Sequence, residues 1–334
     1  MKKITFLRLK ANKFGGAEIY LQRLTKELKK QNIEFEIKHS TAPKFLPSWI
    51  KAIWFNIESC LNKKNKLYFS LDRITCPDIY RAGDGVHKAF LKTKKFSLNP
   101  LHLTYLYLEK KCFNNTKKII ANSRLVKNQI ISTYNISPQK IEIIYNGIPL
   151  KEKADFRNLK KEFNLKNEKI ILYVGSGFER KGVKEAFDII SKLKGKFKFF
   201  VIGKEKKIEW YKYYAKNLNI EDKVIFTGPR SDVDKFYSIA DIFLFPTRYE
   251  PFSNVILESL NFECVSFTTK QNGASEILPK EWIIDENIAQ KIQYLLDNEN
   301  ELKKLQKKAK EISKNFSIEK NVEKTLKVIN EVIN

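Results

Sequence analysis

Two glutamates, eight positions apart, follow a short apolar run in the second half of the chain. Residues 242–245 are apolar and end at Pro246, which is typical of a buried strand. Glu250 lies in the polar loop that follows, and Glu258 lies about two turns into the helix predicted from Asn254 onward. Parallel α/β sheets bind ligands at the carboxyl ends of their strands, so Glu250 is expected at the mouth of a pocket and Glu258 along its wall. Ionised carboxylates accept several hydrogen bonds, which suits a ligand rich in hydroxyl groups. The alternative is a solvated loop acid and an ordinary helix-surface acid.

A glycine-rich loop with two adjacent cations follows an earlier predicted strand. The loop spans residues 175–182, begins at Gly175 and carries Arg180 and Lys181 just before a predicted helix. Its glycine spacing does not fit the dinucleotide fingerprint, and basic residues at 192–198 take the place of the ribose-binding acid. Two cations at a helix N-terminus instead suit a diphosphate. The chain has no P-loop motif and no Asp-x-Asp pair placed to hold a metal on a diphosphate, so Lys and Arg would have to neutralise such a ligand.

The first half of the chain offers weaker candidates for site residues. Asp84 lies between two glycines, which predicts a tight turn that presents the acid, with a purely structural turn as the alternative. His87, taken alone, is better explained by a structural role. Gly15 and Gly16 precede a predicted helix, where backbone amides would approach an anion, but a plain strand-to-helix turn explains them as well.

Strands and helices alternate along the whole chain. This pattern predicts parallel, doubly wound α/β sheets, and 334 residues are enough for two domains with separate cores. We predict one domain over 1–150 and a second over 151–316, with the charged stretch 151–169 as their connection. No apolar run reaches the ~18 residues of a membrane span, and the N-terminus reads as a first strand without a signal peptide, so a cytoplasmic protein is expected.

The cysteines and the charge narrow the function class. Four cysteines without CxxC spacing and three histidines argue against a zinc site, and reduced cysteines that pack as small hydrophobes are expected. The net charge is +25, and residues 1–150 carry +18 of it. Such an excess predicts phosphate-bearing partners, whether nucleic acid, anionic lipid or a phosphorylated glycan.

Two stretches of the first half combine apolar and basic residues. Residues 45–61 have apolar groups at helical spacing, for which core packing is the first interpretation and membrane contact the second. Residues 88–113 interleave lysines with aromatic and leucine residues, which is typical either of an interfacial lipid-binding segment or of a core helix with a solvated basic face.

The glutamate pair and its surroundings resemble the E-x7-E signature of retaining glycosyltransferases of family 4. Glu250 and Glu258 match the signature's two acids, and the segments 174–183, 201–203, 228–233 and 240–242 follow in the family's order. The chain is most similar to the glucosyltransferases that extend the heptose region of lipopolysaccharide core, which the segment 82–87 also resembles. One departure is Ser176, where many members carry an Arg.

The resemblance implies a GT-B fold of two Rossmann-like domains facing across a cleft, with a C-terminal helix over 317–334 crossing back to the first domain. The first domain would bind the acceptor and the second a nucleotide sugar, expected to be UDP-linked. The implied donor-binding residues are Gly15, Gly16, Gly175, Arg180, Lys181, Arg230, Glu250, Phe252, Ser253, Asn254 and Glu258. The implied catalytic set is Asp84, Arg180, Lys181 and Glu250, with Asp84 and His87 on the acceptor side.

The implied reaction is retaining, metal-independent hexosyl transfer without a cofactor other than the nucleotide-sugar co-substrate. The acceptor would be a lipopolysaccharide core or a lipid-linked oligosaccharide, reached at an anionic inner-membrane surface through the basic first domain. Two other classes remain open: a sugar-nucleotide epimerase of the same fold, and a basic nucleic-acid-binding protein, for which no known module is found.

Overall fold

The computed structural model describes residues 3–10, 16–93 and 97–333. They form two compact units, one made of the chain up to Gly147 together with Ile318 onward, and one made of Ile148–Ser317. The predicted anion-binding Gly15 lies outside the described residues.

The eleven strands in the described residues are all short and mostly buried. They are β1 (Ile4–Leu7), β2 (Phe35–Lys38), β3 (Leu67–Ser70), β4 (Ile79–Ala82), β5 (Lys118–Ala121), β6 (Ile141–Ile143), β7 (Lys169–Val174), β8 (Phe197–Ile202), β9 (Val224–Gly228), β10 (Ile242–Phe245) and β11 (Val265–Thr268). Every pairing between them is parallel. Parallel strands need crossover connections, and the apolar strands are covered on both faces. The predicted α/β class, two Rossmann-like domains, is confirmed.

The helices supply these crossovers. They are α1 (Gly16–Lys30), α2 (Ser48–Leu61), α3 (His87–Leu91), α4 (Pro100–Asn115), α5 (Arg124–Tyr134), α6 (Arg157–Glu162), α7 (Phe178–Lys181), α8 (Val183–Ile190), α9 (Ile208–Asn217), α10 (Val233–Ile239), α11 (Asn254–Asn261), α12 (Ile288–Asp297), α13 (Glu299–Ser313) and α14 (Ile318–Ile333). Ser123 caps the N-terminus of α5, because its side chain accepts a hydrogen bond from the backbone N of Val126 at 3.1 Å.

The first unit is a six-stranded sheet in the order β2-β1-β3-β4-β5-β6. Helix α14 belongs to this unit although it ends the chain, because its Val322, Val328 and Ile329 are buried in the same core cluster as residues of α1 and β1. The division falls at Gly147–Ile148 and Ser317–Ile318. The prediction that 151–169 is the connection is therefore wrong: this segment lies in the second unit and contains α6.

The second unit is a five-stranded sheet in the order β11-β10-β7-β8-β9. The chain direction across the sheet reverses between β7 and β10, and such a reversal point opens a ligand crevice at the carboxyl ends of the two strands. The loops that meet there are 175–182 after β7 and 246–253 after β10. Gly182 makes their close approach possible, because a Cβ at this position would lie 1.9 Å from the backbone O of Pro246.

The expectation of fully reduced cysteines is wrong for one pair. Cys60, near the end of α2, is bonded to Cys76 in the connection between β3 and β4. The sixteen-residue separation gave no recognisable motif, but the fold brings the two Cα atoms to 5.7 Å, which lies within the usual range for a disulfide. Cys112 and Cys264 are free and buried, as predicted.

The interpretation of residues 45–61 as a core-packing segment holds for only part of the helix. Ala52 and Phe55 are buried, but several large apolar residues of this segment and of the neighbouring α4 are exposed: Phe45, Ile53, Trp54, Ile57, Leu61, Leu103 and Tyr107. These seven residues are called the α2–α4 apolar surface below, since α2 packs against α4. In the described part of the chain, no helix is long and apolar enough to cross a membrane.

The contact at Gly182 leads to a stability prediction. Gly182→Ala should lower the free energy of unfolding by about 3 kcal/mol, because it adds a clash with Pro246 to the cost of a left-handed backbone (φ +80°). Gly195→Ala is the control, since Gly195 has a similar φ of +89° but open space around its Cβ position, and it should cost only about 1 kcal/mol. Urea unfolding of both variants gives the comparison, and equal losses would show that the contact at Gly182 is unimportant.

Candidate functional site

Glu250 is held on both sides by the loop after β11. Its backbone N donates to the O of Gln271 at 3.0 Å, and its backbone O accepts from the N of Gly273 at 2.9 Å. Between these two residues, the fully buried Asn272 accepts hydrogen bonds from the backbone N of Ser253 and of Ala274. Asn272 thus fixes the loop that carries the predicted sugar-binding residues. Asn272 was not among the predicted site residues; its position after a strand of the same sheet was the signal.

Arg180 and Glu250, which were predicted separately, form an ion pair. Nη1 of Arg180 donates to Oε2 of Glu250 at 2.7 Å and to the backbone O of Tyr249 at 2.8 Å. The backbone O of Arg180 accepts from the backbone N of Arg248 at 2.9 Å and from the Thr247 hydroxyl. The loops after β7 and β10 are therefore joined through both main-chain and side-chain contacts.

Lys181 is half-buried beside this pair. Its ammonium lies 5.6 Å from the centre of the Phe245 ring, and a Cβ at Gly175 would lie 3.2 Å from its Nζ, so the glycine leaves room for the lysine. Among the described residues Nζ has no hydrogen-bonding or ion-pair partner. Burial lowers the pKa of Lys181, while the charge of Glu250 opposes this shift and that of Arg180 adds to it. A poorly hydrated, unpaired cation is stabilised by a bound anion.

Two buried hydroxyl groups border the same loops. The Tyr173 hydroxyl, close to Gly175, and the Ser253 Oγ have no hydrogen-bonding partner in the described part of the protein. Buried polar groups are almost always hydrogen-bonded in folded proteins, so the orphaned Tyr173 hydroxyl, which like the Lys181 ammonium lies close to Gly175, indicates a polar ligand site. Burial is also the main reason why the pKa of Tyr173 is well above its ordinary value.

Further predicted residues line the start of α11. Ser253 directly precedes the helix, Asn254 begins it and Phe252 is buried beside it. Glu258 is the fifth residue of α11, so it lies just over one turn into the helix rather than about two. Its charge, after burial, is the largest contribution that raises the pKa of Tyr237. Helix α11 therefore presents Glu258 against a buried phenol.

Arg230, a predicted donor-binding residue, pairs with residues that are not part of the predicted site. Its guanidinium donates to Asp232 at 2.9 and 3.0 Å and to Glu162 of α6 at 3.0 and 3.3 Å, and it lies over the ring of Phe236. None of these three partners was predicted as a site residue. The donor-binding role of Arg230 stays a prediction.

In the first unit, Asp84 is exposed on a turn whose two glycines accept hydrogen bonds from side chains of other elements. The backbone O of Gly83 accepts from Nδ2 of Asn122 at 3.0 Å, and the backbone O of Gly85 accepts from Nη2 of Arg73 at 3.2 Å. A Cβ at Gly83 would lie 2.0 Å from Nη1 of Arg81, so this guanidinium packs directly against the turn. The predicted tight turn is present, and its polar supports present the carboxylate of Asp84 to solvent.

His87 lies below this turn, at the start of α3. Its backbone N donates to Glu109 at 2.7 Å, and its Nε2 lies 3.1 Å from Nδ1 of His102. The fully buried Glu109 also accepts from Arg73 at 2.9 Å and from the Tyr134 hydroxyl at 2.7 Å. His87 is buried in this network, which favours the structural role. Sequence reasoning missed Arg73 and Glu109; the only signal was an acid within the basic and aromatic stretch 88–113.

Gly16 is the first residue of α1, and the space around its Cβ position is open. Within the described ranges, no group of three or more His, Cys, Asp or Glu residues is arranged to hold a metal ion.

The chain is similar to glycosyltransferases in both halves. Residues 80–152 match the family model "Glycosyltransferase Family 4", and residues 155–312 match "Glycosyl transferases group 1". A curated relative from Campylobacter jejuni, the N-acetylgalactosamine-N,N'-diacetylbacillosaminyl-diphospho-undecaprenol 4-alpha-N-acetylgalactosaminyltransferase, is 31% identical over 48% of this chain and 43% of its own length. The match thus spans less than half of that relative.

Solved structures resemble the whole chain. WaaG, a glycosyltransferase involved in lipopolysaccharide biosynthesis, superposes with a TM-score of 0.81 at 18% identity, over 98% of this chain and 99% of its own. HepE from Anabaena, in complex with UDP and glucose, superposes with a TM-score of 0.78 at 15% identity, over 99% of this chain and 100% of its own. These likenesses establish the fold. The two family models, which between them match residues 80–152 and 155–312, show that the chain belongs to the glycosyltransferases of family 4, as the glutamate pair predicted.

Proposed function

We propose that this protein transfers a hexose from a UDP-sugar to a lipopolysaccharide core or a similar lipid-linked glycan. The observation that carries the proposal is the unpaired ammonium of Lys181 beside the Arg180–Glu250 ion pair. These residues are on the loops that follow β7 and β10, the two strands between which the strand order of the second sheet reverses. This places two cations and a hydroxyl-binding carboxylate in the crevice where such sheets bind ligands. The HepE complex with UDP and glucose supports a UDP-sugar, and the two other relatives support a lipid-linked acceptor.

In this proposal the diphosphate of the donor lies over the turn at Gly175. Lys181 and Arg180 stabilise it there, and their effect grows as negative charge develops on the leaving group. Because these cations supply the neutralising charge, no metal is needed. The orphaned Ser253 hydroxyl and the backbone of 252–254 orient the sugar, and Glu258 binds the ribose.

Glu250 binds sugar hydroxyl groups and is not a covalent nucleophile. One of its oxygens is neutralised by Arg180, and a carboxylate engaged in this way is a poor nucleophile. Retention of configuration would then follow from a front-face, ion-pair-like transfer, in keeping with the E-x7-E resemblance. Asp84, presented on the supported turn of the first unit, orients the acceptor or stabilises positive charge.

We further propose that the first unit associates peripherally with the inner face of the cytoplasmic membrane. The α2–α4 apolar surface supplies exposed Trp, Ile and Leu side chains, and lysines such as Lys64, Lys110 and Lys111 on or next to the same helices are exposed. Apolar and aromatic residues with lysines are typical of helices that lie in an anionic lipid interface.

Removal of the Lys181 charge should stabilise the protein while weakening donor binding. Lys181→Met should raise the free energy of unfolding by about 1 kcal/mol, because it removes a half-buried, unpaired ammonium. Burial lowers the pKa of Lys181 in the folded state. The gain in unfolding free energy is therefore complete at pH values below that pKa, and it disappears as the pH rises toward the ordinary pKa of lysine. The same variant should lose the rise in Tm that UDP causes. Lys192→Met, at an exposed lysine, is the control, and a normal UDP shift in K181M would refute the site.

Glu250→Gln should lower turnover of the UDP-sugar by about 100-fold, because the neutral amide loses charge-assisted hydrogen bonds to the sugar hydroxyls. The measurement is transfer from radiolabelled UDP-hexose to lipid-linked acceptor. Glu179→Gln, which changes an exposed acid of the adjacent helix α7, should leave transfer unchanged. Wild-type transfer by E250Q would contradict the proposal, and acceptor-independent consumption of the UDP-sugar would point to an epimerase.

Binding to vesicles that contain about 30% anionic lipid should weaken as salt rises, because exposed lysines attract the lipid headgroups. The double change Trp54→Ser and Ile57→Ser should reduce partitioning by about 10-fold, since it removes apolar area that enters the interface. Trp210→Ser is the matched control, because Trp210 of α9 is 47% exposed and Trp54 is 45% exposed. Binding that is absent, or indifferent to salt and to W54S/I57S, would count against membrane association.

A further inference from the structure

The Arg180 guanidinium uses only part of its hydrogen-bonding capacity. Within the described ranges, the side-chain hydrogen bonds of Arg180 are both made by Nη1, to Oε2 of Glu250 and to the backbone O of Tyr249. The side chain is 36% exposed, and in the described ranges Nε and Nη2 have no partner. A guanidinium carries five N–H donors in a rigid plane, so the edge formed by Nε and Nη2 can bind an anion while Nη1 keeps its present partners.

Among the described residues, the Glu250 carboxylate likewise has a partner on only one of its two oxygens. Its backbone is fixed on both sides by Gln271 and Gly273, and Arg180 engages Oε2. The side chain is 19% exposed, and no described residue binds Oε1. Arg180 therefore decides the rotation of the carboxylate and leaves one oxygen for an incoming hydroxyl group.

Lys181 cannot take over this function. Its ammonium is a point charge without a fixed plane, and it lies beside Gly175 with no hydrogen bond to Glu250. Two cations of the same loop are thus placed differently: Lys181 faces the glycine turn alone, whereas Arg180 already holds the carboxylate.

We infer that Arg180 is a bridging residue that binds the donor diphosphate through Nε and Nη2 while it positions Glu250 through Nη1. This inference rests on the proposed function and adds to it a coupling between two parts of the donor. Recognition of the diphosphate and recognition of the hexose hydroxyls share one rigid group. The hexose then adds to binding affinity only when the Arg180 plane is present, and a lysine at this position keeps the charge but loses the coupling.

The test is a double-mutant cycle on the full chain, with dissociation constants measured by calorimetry. The ligands are UDP and whichever of UDP-glucose, UDP-galactose and UDP-N-acetylglucosamine binds the wild type most tightly. Arg180→Lys and Glu250→Gln should each lower the ratio of UDP-hexose affinity to UDP affinity by about 10-fold, and the double variant should lower this ratio no further, because both changes break the same link. For UDP alone, E250Q should have less than about a 2-fold effect and R180K less than about a 5-fold effect.

Arg248→Lys is the matched control. Arg248 is on the loop after β10, and its side chain pairs with Glu185 at 2.6 Å, so R248K should leave both constants unchanged. Losses that multiply to about 100-fold in the double variant would overturn the bridge, since independent sites give additive free energies. Tighter UDP binding by E250Q would also overturn it, because Glu250 would then be competing with the diphosphate for Arg180. A wild type that binds neither UDP nor a UDP-hexose would instead overturn the proposed function, and the bridge with it.

Discussion

The close approach of two loops at the reversal point of the second sheet determines the rest of the site. Gly182 allows the loop after β7 to lie against the backbone of Pro246, and this contact places Arg180 beside Glu250. Any side chain at position 182 would separate the loops by its own volume. The ion pair joins the two loops at that approach, and Gly175 leaves the room for Lys181. The proposed chemistry depends on the approach because the proposal binds a diphosphate and a hexose within one crevice.

The two units use charge differently. In the second unit, a cation remains unpaired beside an ion pair, a costly arrangement that a bound anion would relieve. In the first unit, the buried Glu109 is paired with Arg73 and also binds Tyr134 and the backbone of His87. That network supports the turn of Asp84 and leaves the carboxylate exposed. The first arrangement is typical of a binding site and the second of a rigid platform for one presented group.

The large positive charge of the first unit is spread over its surface. Its exposed lysines accompany the α2–α4 apolar surface, and the segment 45–61, for which core packing was the first interpretation, is only partly packed in the core. An amphipathic pattern tells which residues share a face of a helix but not whether another element covers that face. Here Phe55 is covered and Trp54 is not.

Much of this protein follows from local sequence. Apolar runs broken by glycine and proline determined the α/β class and two domains, since a buried parallel strand needs such a run and a crossover. The spacing of Glu250 and Glu258, with Arg180 and Lys181 before a helix, indicated the candidate site residues. Tertiary structure alone decided the rest, because the deciding partners are distant in sequence. Asn272 supports Ser253, Arg73 and Asn122 support the Asp84 turn, and Cys76 bonds to Cys60. Only the folded sheet brings such pairs within reach, as it does the guanidinium and the carboxylate seventy residues apart that meet at 2.7 Å.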